Sequence, residues 1–314
     1  MKCLVIDEMH DSIKPLLDGI NVEYDYRPDI TRAEIKEILP DYDGLILRSK
    51  TSVDADLIKD SKLLFVARAG AGIENLDEEL LGKKGIEIIN APEGNRDAVG
   101  EHTIGLILNL LNNISRSHDQ VLKGQWKREE NRGYELGSLT VGIIGYGNSG
   151  SSLAKKLAGF GCKVIAYDKY IEELPDDNAQ MVNMDSIYEE TDILSLHIPL
   201  TDETRALADN EFFSRFKKNI IFINTSRGEI APVHNILNAI NNEKIKSAGL
   251  DVLECEKFSN LSHNQVKLLE ELKDTGSVLF TPHIAGWTFE SYAKINKVIA
   301  DKISEFLDQY NKLK

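Results

Sequence analysis

Three glycines between an apolar run and a helix-prone run constrain the fold more than any other feature. In "TVGIIGYGNSGSSLAKKL" they are Gly145, Gly147 and Gly150, in the spacing G-x-G-x-x-G. The first allows a tight turn, the second lets backbone approach a pyrophosphate, and the third lets a helix pack closely on a strand. The helix N-terminus then offers free N–H groups to the phosphates. The pattern predicts a strand, a turn and a helix that bind a dinucleotide.

The run that follows this helix strengthens the prediction. "CKVIAYDKY" is rich in β-forming residues and ends near Asp168, about 20 residues beyond the glycines. A carboxylate at that strand end can accept hydrogen bonds from a ribose hydroxyl and repels a 2′-phosphate. The sequence therefore favours NAD over NADP as the cofactor, although the neighbouring Lys169 acts in the opposite direction.

Short apolar runs alternate with helical patterns along the chain, which is typical of parallel sheets covered by helices. In the first third, the predicted strands are "KCLVI", "VEYDY", "GLILR", "LFVAR" and "IEIIN". In the second series they are 139–144, 162–167, 192–196, 219–223, 246–250 and 277–280. The chain has 314 residues, enough for two domains of roughly 100–200 residues each. We expect an α/β protein with two doubly wound parallel sheets.

Three helical segments connect and cover these strands. "TRAEIKEIL" carries Thr31 and Glu34 in the spacing of a capping box. The segment from about Asp97 to Lys123 is apolar nearly all round at its centre, which predicts one long helix that crosses between domains or packs on another subunit. The tail from Trp287 to Lys314 has apolar residues three or four apart. Because no further strand follows it, we expect this tail to return to the first domain.

Composition narrows the class of function. The net charge is −14, and an acidic chain repels nucleic acid. No apolar run approaches the ~18 residues that span a bilayer, and the N-terminus lacks a signal-peptide pattern. Cys3, Cys162 and Cys255 lie far apart and form no metal-binding spacing. The sequence predicts a soluble, cytoplasmic protein that binds no nucleic acid, membrane or metal.

Ionisable residues follow three strands of the second series. "NIIFINTSRGEI" leads to Arg227, "IKSAGLDVLECE" to Asp251, Glu254 and Glu256, and "SVLFTPHI" to His283. Parallel strands end at one edge of a sheet, where doubly wound sheets bind ligands. An arginine can hold a carboxylate through two hydrogen bonds, and a carboxylate partner keeps an imidazole protonated near neutral pH. Together these residues indicate a site for a carboxylate substrate, a proton and a hydride.

Long, ordered segments of the chain resemble the D-isomer-specific 2-hydroxyacid dehydrogenases, most of all their D-3-phosphoglycerate dehydrogenase branch. The resemblance covers almost the whole chain. The segments that carry it are "RSKTSVDADLI", "VARAGAGIENLD", "INAPEGNRDAVGEHTIGL", "GIIGYGNSG", "LSLHIPLTDETRAL", "INTSRGEI", "AGLDVLE" and "TPHIAGWT".

The resemblance implies a role for each candidate residue. Arg227 would hold the substrate carboxylate and carbonyl, His283 would exchange the proton on the substrate oxygen, and Glu256 would be the partner of His283. Glu256 is favoured over Glu254 because the family's glutamate lies five residues after the aspartate that matches Asp251. The implied NAD contacts are Gly145, Gly147, Asn148, Ser149, Gly150, Asp168, His197, Pro199, Thr225, Ser226, Asp251 and Ala285. The implied substrate contacts are Arg48, Arg68, Ala69, Gly70, Ala71 and Gly72.

The resemblance also implies an architecture. A substrate domain of residues 1–97 is completed by residues 286–314, and an NAD-binding Rossmann domain of residues 98–285 is inserted into it. Members are usually homodimers through the NAD domain, with the helix near 97–123 taking part. Many relatives carry a further C-terminal regulatory domain. The chain ends soon after His283, which predicts the short form, with no such domain and no feedback by serine through it.

Two departures from the family pattern affect the site. Lys257 stands where many members have proline, and an insert-like segment, "KFSNLSHNQVKLLEELKD", begins there. Because of these two differences, the family pattern does not predict the local geometry around Glu256. Asn148 and Ser149 replace the commoner Arg-Ile pair of the glycine loop, which predicts altered phosphate contacts on an intact glycine frame.

Basic residues of the first series bear on the substrate. Arg48 and Lys50 in "LRSKT" and Arg68 in "VARAG" lie at predicted strand ends of an acidic protein. They indicate a phosphate on the substrate, and hence 3-phosphoglycerate and 3-phosphohydroxypyruvate, the pair of serine biosynthesis. Alternatively, these cations serve solubility and the substrate is glyoxylate, hydroxypyruvate or another D-2-hydroxy acid. A different class, an NAD-sensing binding protein like the family's corepressors, is disfavoured because every proton-transfer residue is present.

Overall fold

Every predicted strand is present in the computed structural model, which describes residues 1–312. The chain divides into two units, unit 1 (Met1–Arg96 with Trp287–Lys314) and unit 2 (Asp97–Gly286). Each unit contains one parallel β-sheet with helices around it. The predicted α/β class with two doubly wound sheets is therefore confirmed, and one unit is inserted in the sequence of the other.

The sheet of unit 1 has five parallel strands in the order β2-β1-β3-β4-β5. Their bounds are Lys2–Val5 (β1), Glu23–Tyr26 (β2), Gly44–Leu47 (β3), Phe65–Arg68 (β4) and Glu87–Asn90 (β5). The central strand β3 is buried along its whole length, as expected for a parallel sheet that is covered on both faces.

The sheet of unit 2 has seven parallel strands in the order β12-β11-β10-β9-β6-β7-β8. Their bounds are Thr140–Ile144 (β6), Lys163–Tyr167 (β7), Gln180–Met181 (β8), Ile193–Leu196 (β9), Ile220–Asn224 (β10), Ile245–Leu250 (β11) and Val278–Phe280 (β12). Strand β8 was not predicted, because two residues show no strand periodicity. The strand order reverses between β6 and β9, which is the point where such sheets bind ligands.

Eleven α-helices lie within residues 1–312. They are Ile13–Gly19 (α1), Arg32–Ile38 (α2), Glu78–Lys83 (α3), Pro92–Asn112 (α4), Ile114–Leu122 (α5), Asn148–Leu157 (α6), Met184–Glu190 (α7), Asn210–Ser214 (α8), Val233–Asn241 (α9), His263–Asp274 (α10) and Phe289–Lys312 (α11). Short 3₁₀ turns occupy Leu39–Asp41, Glu129–Asn131, Leu136–Ser138, Ala158–Phe160, Gly228–Ile230 and Phe258–Asn260. None of the helices in this part of the chain is both long and apolar enough to cross a membrane.

The capping box predicted for the second helix is confirmed, and the C-terminal helix lies in unit 1. Thr31 and Glu34 form a reciprocal capping box at the start of α2. Helix α11 belongs to unit 1, where its buried Ile295, Ile299 and Ile303 pack in one core with residues of β1 and β4. This tail supplies apolar surface that covers the sheet of unit 1.

The single long helix predicted over 97–123 is wrong. Helix α4 begins earlier, at Pro92, since proline suits the first turn of a helix. The chain then breaks at Asn113, which adopts a left-handed conformation with φ 53° and separates α4 from α5. Asn109 stabilises the break, because its side chain donates to Ser115 Oγ at 2.7 Å and accepts from Ser115 N at 3.0 Å. Asparagine tolerates the left-handed region better than most residues.

Candidate active site

The predicted site residues of unit 2 follow the carboxyl ends of its strands. Gly145 follows β6, Asp168 follows β7 and His197 follows β9. Arg227 comes shortly after β10, and His283 shortly after β12. Because all strands of this sheet are parallel, these side chains start from the same edge of it.

The glycine loop has the geometry that a pyrophosphate requires. Gly145 has φ 93°, and a Cβ there would stand 2.4 Å from the carbonyl oxygen of His197. A Cβ at Gly150 would stand 2.0 Å from the carbonyl oxygen of Gly145, so only glycine fits at either place. At Gly147, by contrast, a Cβ would meet nothing within 4 Å. Space is therefore open over the start of α6, where Asn148 and Ser149 are the first residues and the helix has free N–H groups.

Asp168 is tied to the glycine loop. Its Oδ2 accepts from the backbone N–H of Tyr146 at 2.7 Å, and its Oδ1 accepts from that of Tyr170 at 2.9 Å. Each carboxylate oxygen retains a lone pair for a ribose hydroxyl. Lys169, whose charge opposed the NAD preference, forms an ion pair with Glu203. Glu203 thus offsets the positive charge nearest to Asp168 and adds a second carboxylate to this part of the loop.

The histidine after β9 is neutral at pH 7. Desolvation lowers the pKa of His197 from 6.5 to about 4, and its Nε2 lies 2.8 Å from the hydroxyl of the buried Ser195. In the following loop, the carbonyl of the exposed Pro199 accepts from Thr204 Oγ1 at 2.7 Å. An uncharged imidazole at this edge can hydrogen-bond a cofactor without adding charge.

The segment after β10 is held in place by its own polar groups. Ser226 Oγ donates to the carbonyl of Leu196 at 2.6 Å, and Asn224 Nδ2 donates to the carbonyl of Arg227 at 2.9 Å. The Arg227 guanidinium donates to the carbonyl of Ser226 at 2.6 Å. A Cβ at Gly228 would stand 1.9 Å from the carbonyl carbon of Leu253, so the segments after β10 and β11 touch through backbone.

Two further contacts concern predicted NAD residues. Thr225 Oγ1 lies 3.3 Å from Thr103 Oγ1 on α4, so α4 is in contact with this edge of the sheet. Ala285 is buried, and its backbone N–H donates to Asp251 Oδ2 at 2.8 Å.

His283 and Glu256 lie within hydrogen-bonding distance of each other. His283 Nδ1 lies 2.8 Å from Glu256 Oε1 and 2.9 Å from Oε2. Glu254 is engaged elsewhere, since its Oε2 accepts from the backbone N–H of Val233 at the start of α9, at 2.8 Å. Because an ionised carboxylate only accepts, His283 Nδ1 carries a proton. Within residues 1–312 no group hydrogen-bonds the other ring nitrogen, Nε2, which can therefore exchange a proton with a ligand.

The backbone of His283 is strained. Its φ is 55°, a conformation that is uncommon for residues other than glycine and that concentrates at functional sites. The buried carboxylate of Asp251 stabilises it: Oδ1 accepts from Thr281 Oγ1 at 2.5 Å and from Ile284 N at 2.9 Å. A strained residue persists only where its surroundings determine its conformation, and here the surroundings are the side chain of Asp251.

His102 on α4 takes part in this network, and sequence reasoning did not single it out. Its Nε2 lies 3.0 Å from Thr281 Oγ1 and 3.6 Å from Asp251 Oδ1. The one hydroxyl proton of Thr281 goes to Asp251, which only accepts. His102 Nε2 must therefore carry a hydrogen and donate to Thr281. His102 lies in the sequence "GEHTIGL", where no local pattern indicates a contact with Thr281, 179 residues further along the chain.

In unit 1, Arg48 and Arg68 lie at the carboxyl ends of β3 and β4. The Arg48 guanidinium stacks on Trp287, with its carbon 4.4 Å from the ring centroid. The Arg68 guanidinium lies against Gly70, because a Cβ at Gly70 would stand 1.6 Å from Arg68 Nη1. Lys50 differs from both, since its Nζ donates to the backbone carbonyls of Ile6 and Pro28.

The segment from Ala69 to Gly72 turns away from β4 with its backbone partly bonded. Ala69 N donates to the carbonyl of Leu47 at 2.7 Å, and the carbonyl of Ala71 accepts from Asn90 Nδ2 at 2.8 Å. Within residues 1–312 no acceptor lies in reach of the N–H groups of Ala71 and Gly72. Two such donors next to the Arg68 guanidinium suit a carboxylate.

Comparison with known proteins agrees with this geometry. Residues 104–285 match the family model of the D-isomer-specific 2-hydroxyacid dehydrogenase NAD-binding domain. A hydroxypyruvate reductase of Thermotoga maritima is 34% identical over 87% of this chain and 88% of that protein. A D-3-phosphoglycerate dehydrogenase of Methanocaldococcus jannaschii is 33% identical over 98% of this chain, which spans 57% of that longer protein.

A solved structure is similar over both units. The D-lactate dehydrogenase of Aquifex aeolicus, complexed with NAD and lactic acid, is 25% identical, with a TM-score of 0.82 over 98% of this chain and 96% of that one. The chain belongs to the D-isomer-specific 2-hydroxyacid dehydrogenase family of NAD-dependent oxidoreductases, and residues 104–285 are its NAD-binding domain.

Proposed function

We propose that the protein interconverts 3-phosphoglycerate and 3-phosphohydroxypyruvate with NAD as the cofactor. The observation that carries this choice is Arg48: within residues 1–312 no carboxylate lies within 4.0 Å of its guanidinium. An unpaired cation at a strand end of a chain with 51 acidic and 37 basic residues is suited to an anionic group of the substrate. Arg68 supplies a second guanidinium at the next strand end.

The residues of unit 2 fit a bound dinucleotide and a 2-keto acid. The pyrophosphate fits the open space over Gly147, and Asp168 fits the ribose hydroxyls. NAD supplies the hydride acceptor or donor when it is bound. Arg227 would hold the substrate carboxylate, so that the C2 of the substrate has one orientation.

His283 and Glu256 perform the proton transfer in this proposal. During reduction, His283 Nε2 gives a proton to the carbonyl oxygen at C2 while hydride arrives at carbon, so the product is an alcohol and a neutral imidazole. Glu256 holds the ring through Nδ1 and stabilises its protonated form. During oxidation the same nitrogen takes the hydroxyl proton. A positioned acid of this kind contributes about 10²–10⁴-fold to rate.

The alternative substrate is glyoxylate or hydroxypyruvate. The similarity to a hydroxypyruvate reductase at 34% identity and to a phosphoglycerate dehydrogenase at 33% favours neither. Oxidation of NADH with 3-phosphohydroxypyruvate, hydroxypyruvate and glyoxylate in parallel distinguishes them. The proposal expects 3-phosphohydroxypyruvate to have the highest kcat/KM, and Arg48→Ala to raise its KM by about tenfold or more while hydroxypyruvate changes little. Turnover of none of the three would indicate either a different D-2-hydroxy acid as substrate or an NAD-sensing binding protein.

We also propose a homodimer through unit 2 and a cytoplasmic location. Five large apolar side chains of α5 and the segment after it are more than half exposed: Ile114, Val121, Leu122, Trp126 and Tyr134. Exposed apolar residues in one stretch of chain are typical of a protein interface. Sedimentation of the wild type and of Leu122→Asp tests the dimer, which the substitution should dissociate.

A further inference from the structure

Two aromatic residues of unit 1 contact the Arg48 guanidinium. The guanidinium carbon lies 4.4 Å from the centroid of Trp287 and 5.0 Å from that of Tyr292. The two rings are 5.1 Å apart at an angle of 43°, so they face the cation from different directions. Trp287 precedes α11 and Tyr292 lies in its first turns. A guanidinium within about 6 Å of an aromatic centroid is attracted to the ring face.

Tyr292 is itself fixed to the loop after β1. Tyr292 Oη donates to the carbonyl of Glu8 at 3.0 Å, and the ring meets His10 edge to face at 5.6 Å. The buried Asn296, one helical turn on, donates to the carbonyl of His10 at 2.9 Å. Desolvation raises the pKa of Tyr292, so its ring is uncharged at neutral pH. Tyr292 is therefore held by several contacts, and Trp287, which is 51% exposed, packs against it.

The backbone of Arg48 is also fixed. Its N–H donates to Asp7 Oδ2 at 2.7 Å, and its carbonyl accepts from Asn75 Nδ2 at 3.3 Å. The Asp7 carboxylate therefore binds the main chain of Arg48 and not its guanidinium. Arg32 in the same unit shows the contrast, because it pairs with both oxygens of Asp54 at 2.7 and 2.8 Å. Arg32 has a structural partner, whereas Arg48 has aromatic support and an unneutralised charge.

We propose that Trp287 and Tyr292 form an aromatic clamp that holds Arg48 for the phosphate of the substrate and thereby sets the preference for a phosphorylated over an unphosphorylated 2-keto acid. The clamp rests on the proposed function and extends it to residues of the C-terminal segment. Both rings lie on one side of the guanidinium, so the N–H groups directed away from them remain for a tetrahedral dianion. Holding the side chain before binding also removes an ordering cost from association.

The kinetic test compares the two substrates in matched variants. Trp287→Leu removes the ring face next to Arg48, Trp287→Phe keeps an aromatic ring, and Phe289→Leu is the control, since Phe289 is 93% exposed. The measured quantity is kcat/KM for 3-phosphohydroxypyruvate divided by that for hydroxypyruvate. We expect Trp287→Leu to lower this ratio roughly five- to twentyfold, mainly through KM. Trp287→Phe should recover most of it, and Phe289→Leu should keep the wild-type ratio.

A ratio unchanged in Trp287→Leu would overturn the clamp, even if 3-phosphohydroxypyruvate proves to be the substrate. Equal loss on both substrates would do the same, because it would mean that the ring stabilises the fold and not the phosphate.

A binding test separates the clamp from the activity. The chain has two tryptophans, so Trp126→Phe leaves Trp287 as the only one, and Trp126 is 85% exposed. We expect its emission to change saturably with 3-phosphoglycerate and not with glycerate, and Arg48→Ala to abolish the change. Saturable binding without turnover of 3-phosphohydroxypyruvate would support the clamp and overturn the proposed substrate. If the Trp287 emission does not change while 3-phosphohydroxypyruvate is turned over efficiently, the clamp is overturned and the proposed substrate stands.

Discussion

The main-chain carbonyl of Asp251 accepts a hydrogen bond from the backbone N–H of His283 at 2.8 Å. The carboxylate of the same residue accepts from the next two N–H groups, those of Ile284 and Ala285, at 2.9 and 2.8 Å. One buried aspartate thus binds three successive residues of the segment that carries the proposed acid. The left-handed conformation of His283 follows from this contact, and it directs the imidazole to Glu256.

Replacement of His283 should remove most of the activity. We expect His283→Ala to lower kcat at least about 10²-fold with NADH affinity nearly unchanged, because the proton donor is lost and the nucleotide site is not. Steady-state kinetics and NADH titration measure the two. More than a tenth of the wild-type kcat remaining would contradict the assignment.

Glu256→Gln should lower kcat less than His283→Ala does. Glutamine can still accept a hydrogen bond from His283 Nδ1, but it carries no negative charge to balance the imidazolium that donates the proton. Glu254→Gln is the matched control, because Glu254 binds the start of α9 and not His283. A larger loss of kcat in Glu254→Gln than in Glu256→Gln would exchange the two roles.

His102 should act through Thr281 and Asp251 as a positioning residue. His102→Leu removes the donor to Thr281 Oγ1, and we expect kcat to fall about three- to tenfold, with little change in the KM for NADH. His102→Gln, which can still donate, should recover part of the loss. If both variants lose stability equally and keep the wild-type kcat, the contact is structural only.

The NAD preference should depend on the charge of Asp168. Asp168→Ala should narrow the NAD over NADP ratio of kcat/KM tenfold or more, which corresponds to about 1.4 kcal/mol. Asp168→Asn controls for the glycine loop, because the amide oxygen still accepts from Tyr146 N. Both variants should narrow the ratio. Glu203→Gln should narrow it further, because it removes the carboxylate that pairs with Lys169. An unchanged NAD over NADP ratio in Asp168→Ala would show that Asp168 does not contact the ribose.

Protonation of His197 should oppose folding in mild acid. Its pKa is lowered from 6.5 to about 4 in the folded state, so above pH 6.5 both states are neutral and nothing is lost. As pH falls from 6.5 towards 4, the unfolded chain takes up the proton first and is stabilised. We expect the wild type to lose about 1–2 kcal/mol more than His197→Gln between pH 7.5 and 5 in urea unfolding. Parallel losses in the two proteins would show that the imidazole is not desolvated.

Local features of the sequence were sufficient for the strands, the glycine loop and the residues at strand ends. A strand is recognisable from a run of five residues. The carboxyl ends of parallel strands lie at the same edge of the sheet, whatever the strand order is. The capping box at Thr31 and Glu34 is equally local and is present. Arg227 and His283 could be named for the same reason, since each comes shortly after a strand, whereas the resemblance to the family selected Glu256 over Glu254.

Tertiary structure decided the features that depend on contacts of individual side chains and not on periodicity. The break at Asn113 depends on Asn109 binding Ser115 across it, whereas apolar periodicity continues through the segment. The family's spacing already favoured Glu256 over Glu254, and the structure adds the physical reason: the first N–H of α9 donates to Glu254.

The same limit applies to the contacts around the proposed ligands. His102 reaches Thr281, and Trp287 reaches Arg48, only because sheet order brings distant segments together. The spacing of apolar residues indicates a helix or a strand, and this information comes only from residues that are close in sequence. Contacts between segments depend on packing in three dimensions, and for this protein that packing determines how the acid is oriented and how the cation is supported.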